Sequence, residues 1–485
     1  MKREGAGLTP LDGLLCAYLA LPLLLFCAWF KGPVAIGFAL LLAFGFRTTL
    51  AEAWRGQLGI SARVLLAVAA VALAWTALAG VGHFFYANLD WVTRGAVLRD
   101  LTATAWPPQY GTEGDLALIL RAPVGLYLPA AAAGSVLGLR AADLLLYFWT
   151  ALGFALFLCA ATTLFSTTRQ RFIACLVLVG FGGLDLIGMR VLGGAWPQPG
   201  EHIEWWARFA QYSSNATLMF WAPNHALPAW LGMALVLRHW RQPELARLSP
   251  LLAAAIPLWS PLAGAGLAPF FLAGLNWRRD LGQVFSIRGG LPLIAVGLVV
   301  ARYLTMDTQS VAHGWSLYKF DDPIHFPLYY AAFCLFEFGL LALVLIAMGT
   351  FNTPMGISLV ILLLLPSYHF GPGNDLAMRG SIPALMVLAL ATVRPLANDG
   401  HVGRSVWRYA LMLILGIGAL GAAQEPARAL LMPRWALTGQ SLGEISQIAH
   451  PGGDADPLPS NYVGKLNQPG LALLMRTPSA VQPSR

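Results

Sequence analysis

The chain has 485 residues, 57% of them hydrophobic and only 11% charged, with a mean hydropathy of +0.64. A water-soluble domain carries about a quarter charged residues, so this composition excludes water as the main solvent. The formal charge of +8 is spread as short Lys and Arg clusters between apolar runs, a pattern that sets membrane topology and argues against a nucleic-acid partner.

In chain order, the first apolar run, 14–30, follows Lys2 and Arg3. It passes through Lys31-Gly32-Pro33 into a second run at 34–46, with no small-residue cleavage site between them. It is therefore expected to be a retained helix, not a signal peptide. Further runs follow at 64–82, 142–164, 172–192, 216–237, 291–304, 328–348, 357–370, 382–393 and 406–420. A spanning helix needs about 20 apolar residues, fewer if tilted, so the expected fold is an all-α polytopic membrane protein with about eleven transmembrane helices. Two stretches fit less simply: 116–139 carries Arg121, Pro123 and Pro129, and 251–275 carries Pro257, Pro261, Gly264, Gly266 and Pro269. Both are expected to be broken or re-entrant segments, with ordinary kinked spans as the alternative. The five cysteines (Cys16, Cys27, Cys159, Cys175, Cys334) lie inside apolar runs without a CxxC, as small buried hydrophobes do.

Arginine clusters orient the chain. Arg47, Arg55 and Arg63 mark one inner loop, Arg169 and Arg171 a second, and Arg238, Arg241 and Arg247 a third; Arg278, Arg279 and Arg288, and then Arg394, Arg404 and Arg408, mark two more. This places the N-terminus in the cytoplasm and leaves segments 84–115, 193–215, 305–327 and 371–380 outside. The expected organisation is one transmembrane domain, 1–424, followed by a small non-cytoplasmic C-terminal tail, 425–485. No internal repeat is evident.

The polar chemistry gathers in those outer segments. The first holds Asp90, just beyond a helix end, Asp100 ten residues on, and arginines at 94 and 99, with Arg121 shortly after. An acidic side chain at a membrane surface can serve as general base toward a hydroxyl, and arginine presents a planar fork of donors to phosphate. The bland reading is an interfacial loop with aromatic anchors and local ion pairs. The second holds His202, Glu204, Trp205, Trp206, Arg208, Gln211 and Tyr212, followed by Trp221, Asn224 and His225. Aromatic faces beside hydrogen-bonding groups suit sugar rings, although an interfacial aromatic belt also accounts for the tryptophans. Asn224 and His225 fall inside an apolar run, where polar groups are costly unless they face a cavity or a partner. The third is His369-Phe-Gly-Pro-Gly-Asn374-Asp375-Leu-Ala-Met-Arg379, in which Asp375 and Arg379 share a helix face. Arg379 there binds a lipid phosphate or closes a local ion pair. Asp185 and Glu337 are isolated acids inside apolar runs and are read either as lining a chamber or as holding helices together.

Other signals are discounted. Asp454-Ala-Asp456 lies in a Pro- and Gly-rich stretch and reads as a turn, and Asn215-Ala-Thr217 is a weak glycosylation sequon. No Walker, HExxH, GxSxG or dinucleotide fingerprint appears where its structural context would require it, and no metal-ligand constellation is visible.

The long first outer segment with Asp90 just past a helix end, followed by further polar outer segments, resembles the GT-C superfamily, multi-spanning glycosyltransferases that use polyprenyl-phosphate-linked sugars. Ile203-Glu-Trp-Trp, Trp221-Ala-Pro-Asn-His and Asn374-Asp-Leu-Ala-Met-Arg also look like runs of bacterial multi-spanning proteins whose activity is generally only inferred. The resemblance covers the layout of much of 85–383 and rests on short motifs. It implies a GT-C-like fold in a bacterial cytoplasmic membrane and inverting hexosyl or pentosyl transfer at the outer face, within cell-envelope polysaccharide assembly. The donor would be a polyprenyl-phosphate-linked sugar, the acceptor a glycan, lipid or protein, with membrane lipid as surroundings and no cofactor or metal. Asp90 or Asp100 would be the base. Arg99, Arg121, Glu204, Trp206, Asn224, His225, Asp375 and Arg379 would bind donor phosphate or substrate. A transporter or lipid flippase without covalent chemistry, and a scaffold of an envelope assembly, are the alternatives.

Overall fold

The structure is a computed structural model that describes residues 7–194, 196–397, 405–449 and 458–483. Lys2, Arg3, Arg404 and the Asp454-Ala-Asp456 turn lie outside the described residues.

The chain opens with three helices, α1 (Pro10–Phe26), α2 (Gly32–Leu50) and α3 (Ala62–Leu78). The segment 84–115 is not a loop. It forms α4 (Asp90–Ala103) and strand β1 (Pro108–Glu113), which pairs antiparallel with β2 (Leu116–Leu120). There follow α5 (Leu128–Leu137), α6 (Leu139–Thr162), α7 (Thr168–Gly180), α8 (Asp185–Gly193), α9 (Asn215–Trp221), α10 (Pro223–Arg238), α11 (Pro243–Trp259), α12 (Pro261–Gly274), α13 (Trp277–Val284) and α14 (Gly290–Leu304). The segment 305–327 folds as strand β3 (His313–Trp315) and a helical turn α15 (Ser316–Lys319). Then come α16 (Phe326–Cys334), a π-turn over Leu335–Gly339, α17 (Leu340–Ala347), α18 (Thr353–Leu364), β4 (Tyr368–Phe370), α19 (Asp375–Gly380), α20 (Ile382–Ala397) and α21 (Ser405–Ala422). The remainder is α22 (Gln424–Leu431), α23 (Leu442–Ala449), β5 (Val463–Lys465), α24 (Pro469–Leu474) and β6 (Ser479–Ala480).

Among the described residues, seven helices or helix pairs are long and apolar enough to cross a membrane, and five shorter apolar helices accompany them. The sequence count of about eleven spans is therefore matched only in part: the protein is mostly helical, and several of the apolar runs are shorter than a bilayer. Apolar side chains on the outer faces remain open, among them Ile36, Leu40, Leu66, Leu298, Leu343 and Leu413, each more than half exposed. A continuous apolar exterior of this kind is stable against lipid and not against water.

The stretch 116–139 differs from its expectation. Its first part is strand β2, central in a four-stranded sheet ordered β5-β2-β1-β6. Leu116-Ala-Leu-Ile-Leu120 is a short unbroken apolar run, and periodicity does not separate a buried strand of this kind from a membrane helix. The stretch 251–275 is broken as expected: α11 ends at Trp259, Ser260 adopts an extended conformation and caps α12 by accepting the Ala263 N–H, and Pro261 takes the first helical position. A comparable break divides the 216–237 run at Ala222, where Pro223 starts α10.

Because β5 and β6 come from the C-terminal tail, the tail is sewn onto the first polar segment through the sheet and through α23, which packs on α4. The outcome is a helical bundle with a small mixed cap, in which the tail packs on α4 and on the β1–β2 hairpin.

Candidate functional site

Gly80 begins the turn out of α3 at φ +84°, and a Cβ there would stand 2.6 Å from Ala87 Cα, so only glycine fits this return. The turn delivers Asn88, whose Oδ1 accepts the Asp90 N–H (3.1 Å) while its Nδ2 donates to the Phe220 carbonyl (2.8 Å). Trp91 Nε1 donates to the same carbonyl (2.8 Å). Phe220 is in the last turn of α9, where carbonyls lose their helical partners, and these two donors supply the replacement. The first turn of α4 is thereby fixed against α9, with Asp90 in the position where a helix dipole favours a carboxylate.

Asp90 keeps 43% of its side chain exposed, whereas Arg94, one turn along, is 3% exposed. Arg94 donates to Asn224 Oδ1 at 2.6 Å, to the Tyr127 hydroxyl at 3.1 Å and to Asp90 Oδ2 at 3.4 Å. Since the Asn224 oxygen faces Arg94, its amide nitrogen donates to His225 Nε2 (3.2 Å), and His225 Nδ1–H then donates to Ser260 Oγ (2.8 Å). His225 is accordingly a neutral ring held at the α11–α12 break. From the other side, Asn374 caps α19 and donates to the Phe209 carbonyl (3.0 Å), and Arg379 pairs with Asp375 at 3.3 Å, i to i+4.

These elements surround a cavity of about 220 Å³ whose walls include Asp90, Arg379, His202, Gln211, Thr217 and Trp221. A half-exposed carboxylate and an arginine fork thus share one small chamber. Beside it lies an apolar groove of about 1000 Å³ between α12, α18 and α19, which runs from Asn352 and Thr353 past Val360 and Leu364 to Leu376 and Gly380, the neighbours of Arg379.

Behind the Thr217 and Gln211 wall lies a buried acidic network. Glu204 accepts from Thr217 Oγ1 (2.6 Å), Gln211 Nε2 (2.9 Å) and the Ser214 N–H (3.0 Å). His202 stands between Gln211 Oε1 (3.4 Å) and Glu425 Oε1 (3.1 Å), and Glu425 also accepts from Trp221 Nε1 (2.7 Å) and pairs with Arg428 (3.4 Å). Trp206 Nε1 is shared by Asp185 Oδ1 (3.2 Å) and Glu337 Oε1 (3.0 Å), the latter on the π-turn between α16 and α17. Burial, helped by the nearby Asp185 charge, pushes the Glu204 carboxyl up to about 7. Burial opposes charge on His202, but its hydrogen bond to Glu425 and the charge of Glu204 outweigh it, and its pKa is raised.

The remaining sequence candidates stand elsewhere. Asp100 is fully buried and accepts from the Leu442 N–H (3.0 Å), the Tyr110 hydroxyl (2.9 Å) and Arg99 (3.0 Å). It anchors the tail to α4; burial raises its pKa against the pull of those donors. Arg121 donates to the carbonyls of Ser460 and Leu304, tying β2 to the tail and α14. Neither Asp100, Arg99 nor Arg121 lines the Asp90 cavity. The structure thus puts Asp90 and Arg379 on one chamber; Asp375 pairs with Arg379, and Asn224 and His225 are linked to Asp90 through Arg94, but these three do not line the cavity. It gathers Glu204, Trp206, Asp185 and Glu337 behind it.

Sequence reasoning offers Arg94 as a phosphate contact and His202 and Gln211 as members of a sugar-suited loop, without placing them among the final site residues, and it misses Glu425 and Arg428. Arg94 is four residues past Asp90, a spacing that places both on one helix face; Glu425 and Arg428 carry no such signal, because their partners are some 220 residues away in the chain. Among the described residues no group of three or more His, Cys, Asp or Glu side chains is arranged to hold a metal ion.

The fold and site define a helical protein of membrane type with a polar chamber at one end of the bundle. Comparison with models of protein families, with curated proteins and with solved structures gave no match.

Proposed function

We propose that this chain is a glycosyltransferase that moves a sugar from a polyprenyl-phosphate donor to a hydroxyl acceptor at the end of the bundle carrying Asp90. The observation that carries the reading is the pairing of Asp90 and Arg379 on one chamber, with an apolar groove that ends at the Arg379 helix. The apolar lining of the groove suits a prenyl chain, and its end at Leu376 and Gly380 flanks Arg379, whose guanidinium would take the chain's phosphate. Asp90 removes the acceptor proton, the acceptor oxygen bonds to the anomeric carbon, and the bond from that carbon to the phosphate oxygen breaks with inversion. Arg379 meets the charge that develops on the leaving phosphate. Arg94 positions Asp90 and is itself held by Asn224 and Tyr127. The Trp221, His202 and Gln211 wall supplies an aromatic face and hydrogen-bonding groups for the sugar.

The reading predicts that filling the groove weakens donor binding without touching the chemistry. Val360 lines the groove and is 57% exposed, so Val360→Trp occupies that space with little cost to the fold. With a photoreactive polyprenyl phosphate on protein in lipid nanodiscs, labelling should map to α12 and α18 and fall in V360W. Labelling that maps elsewhere and is unchanged in V360W would overturn the assignment of the groove.

A second reading, transport or flipping of a lipid-linked substrate, is favoured by one feature: the buried acids Asp185, Glu204 and Glu337 form a protonatable path that sugar transfer does not use. It predicts substrate movement across vesicles that depends on Glu337 and continues in an Asp90→Asn variant.

A further inference from the structure

Helices α10 and α20 pack together, and each has 16 residues, so they carry the chain about 24 Å from the Asp90 chamber to the opposite end of the bundle. There they finish in Arg238-His239 and Arg394, beside a second cavity of about 590 Å³. The charges around this cavity do not balance. Arg238 is committed to Asp12, donating Nε–H to Oδ1 at 2.8 Å and reaching Oδ2 at 3.2 Å. Asp12 is thereby used up, and among the described residues the Arg394 guanidinium is exposed and has no acceptor.

His239 carries the second observation. It is 4% exposed, lines the cavity, and neither ring nitrogen has a hydrogen-bond partner; Nε2 comes within 3.2 Å of Asp12 Oδ1 but outside hydrogen-bond geometry. With Nε2 turned to the Asp12 carboxylate, Nδ1 is the ring atom left without a partner; a buried nitrogen in that position has lost the hydration it had in water, so it marks a place where something else binds. The same wall contains the start of the 12-residue helix α18, where Asn352 Oδ1 takes the Met355 N–H, Pro354 has no N–H, and the Thr353 N–H is the one donor of the first turn left open among the described residues. A helix start, an imidazole and a free guanidinium around one cavity together make a receptor for an anion.

We propose that this second cavity binds a phosphate group, contacted by Arg394, His239 and the first turn of α18. The phosphate comes either from the headgroup of an anionic phospholipid or from a soluble phosphate, and both present the same acceptor oxygens. The test uses the full chain, purified and placed in nanodiscs of phosphatidylglycerol mixed with phosphatidylcholine. Native mass spectrometry counts the lipids retained, and thermal unfolding is followed in detergent with and without inorganic phosphate. Arg394→Gln removes an exposed side chain and leaves the fold intact, as monodisperse elution and an unchanged unfolding temperature without ligand would show; His239→Gln is the second variant.

If the source is a lipid, wild type retains phosphatidylglycerol over phosphatidylcholine, and R394Q loses that preference by about tenfold, the value of one charged hydrogen bond. If the source is soluble, inorganic phosphate stabilises wild type and not the variants, with no lipid preference. Binding of neither probe by wild type would overturn the proposal, as would binding that both variants retain in full.

Discussion

Arg94 sits between the group assigned to chemistry and the groups assigned to support, and its energetics separate the two. Its link to Asn224 is short (2.6 Å), and both partners are buried. A hydrogen bond from a buried cation to such an acceptor contributes about 1.5–3 kcal/mol. Its link to Asp90 is longer (3.4 Å) and reaches a side chain that is 43% exposed, so solvent screening holds it below about 1 kcal/mol. Arg94→Met removes the fork, leaves Asn224 Oδ1 and the Tyr127 hydroxyl short of a donor, and should destabilise the protein by roughly 3–5 kcal/mol. Unfolding of purified protein in mixed micelles with rising dodecyl sulfate, followed by tryptophan fluorescence, measures this. Double-mutant cycles with Asn224→Ala and Asp90→Asn then divide the total. The coupling of Arg94 to Asn224 should exceed that to Asp90 by at least about 1 kcal/mol. An Asp90 coupling equal to or larger than the Asn224 coupling would refute this reasoning and make Asp90 a structural partner instead of a free base. So would an R94M variant within about 0.5 kcal/mol of wild type.

Asp100→Ala should release the tail: the Leu442 N–H and the Tyr110 hydroxyl lose their shared acceptor, and limited proteolysis between α22 and α23 should accelerate while chain labelling of the groove stays unchanged. Glu204 gives a pH signature. Its pKa is raised in the folded state from 4.5 to about 7, so its contribution to stability is fully present below pH 4.5 and is lost as pH rises through about 7. His202, also raised, changes in the same direction above its ordinary value of 6.5. Glu204→Gln should therefore flatten the fall in unfolding temperature between pH 5 and 8. A slope in E204Q as steep as that of wild type would remove Glu204 from the account.

The membrane character of the chain was legible from composition, and so was the break at Pro261, because proline and the capping serine act within a few residues; the break at Pro223, inside a run read as one helix, was missed although the same proline signal was there. The hairpin over 108–120 was not, since Leu116–Leu120 is uniformly apolar and its pairing depends on Val463–Lys465, more than 340 residues later. The same distinction runs through the site. Asp90 with Arg94, and Asp375 with Arg379, are local pairs that spacing reveals. The meeting of Asp90 and Arg379, one from each pair, on one chamber is a tertiary event without a sequence signal. Asp90 and Asp100 looked equivalent in the sequence, and only burial separates them: Asp100 is spent on three donors, while Asp90 faces open space.

The most direct test of the central claim is label transfer from radiolabelled polyprenyl-phosphate sugars to a membrane acceptor fraction by purified protein, comparing wild type with Asp90→Asn and Arg379→Gln. Wild type should transfer label. D90N should lose at least about a hundredfold, as expected for removal of a general base, and R379Q should lose activity while D100N keeps it. Transfer that survives both D90N and R379Q would contradict the assignment of the Asp90–Arg379 chamber.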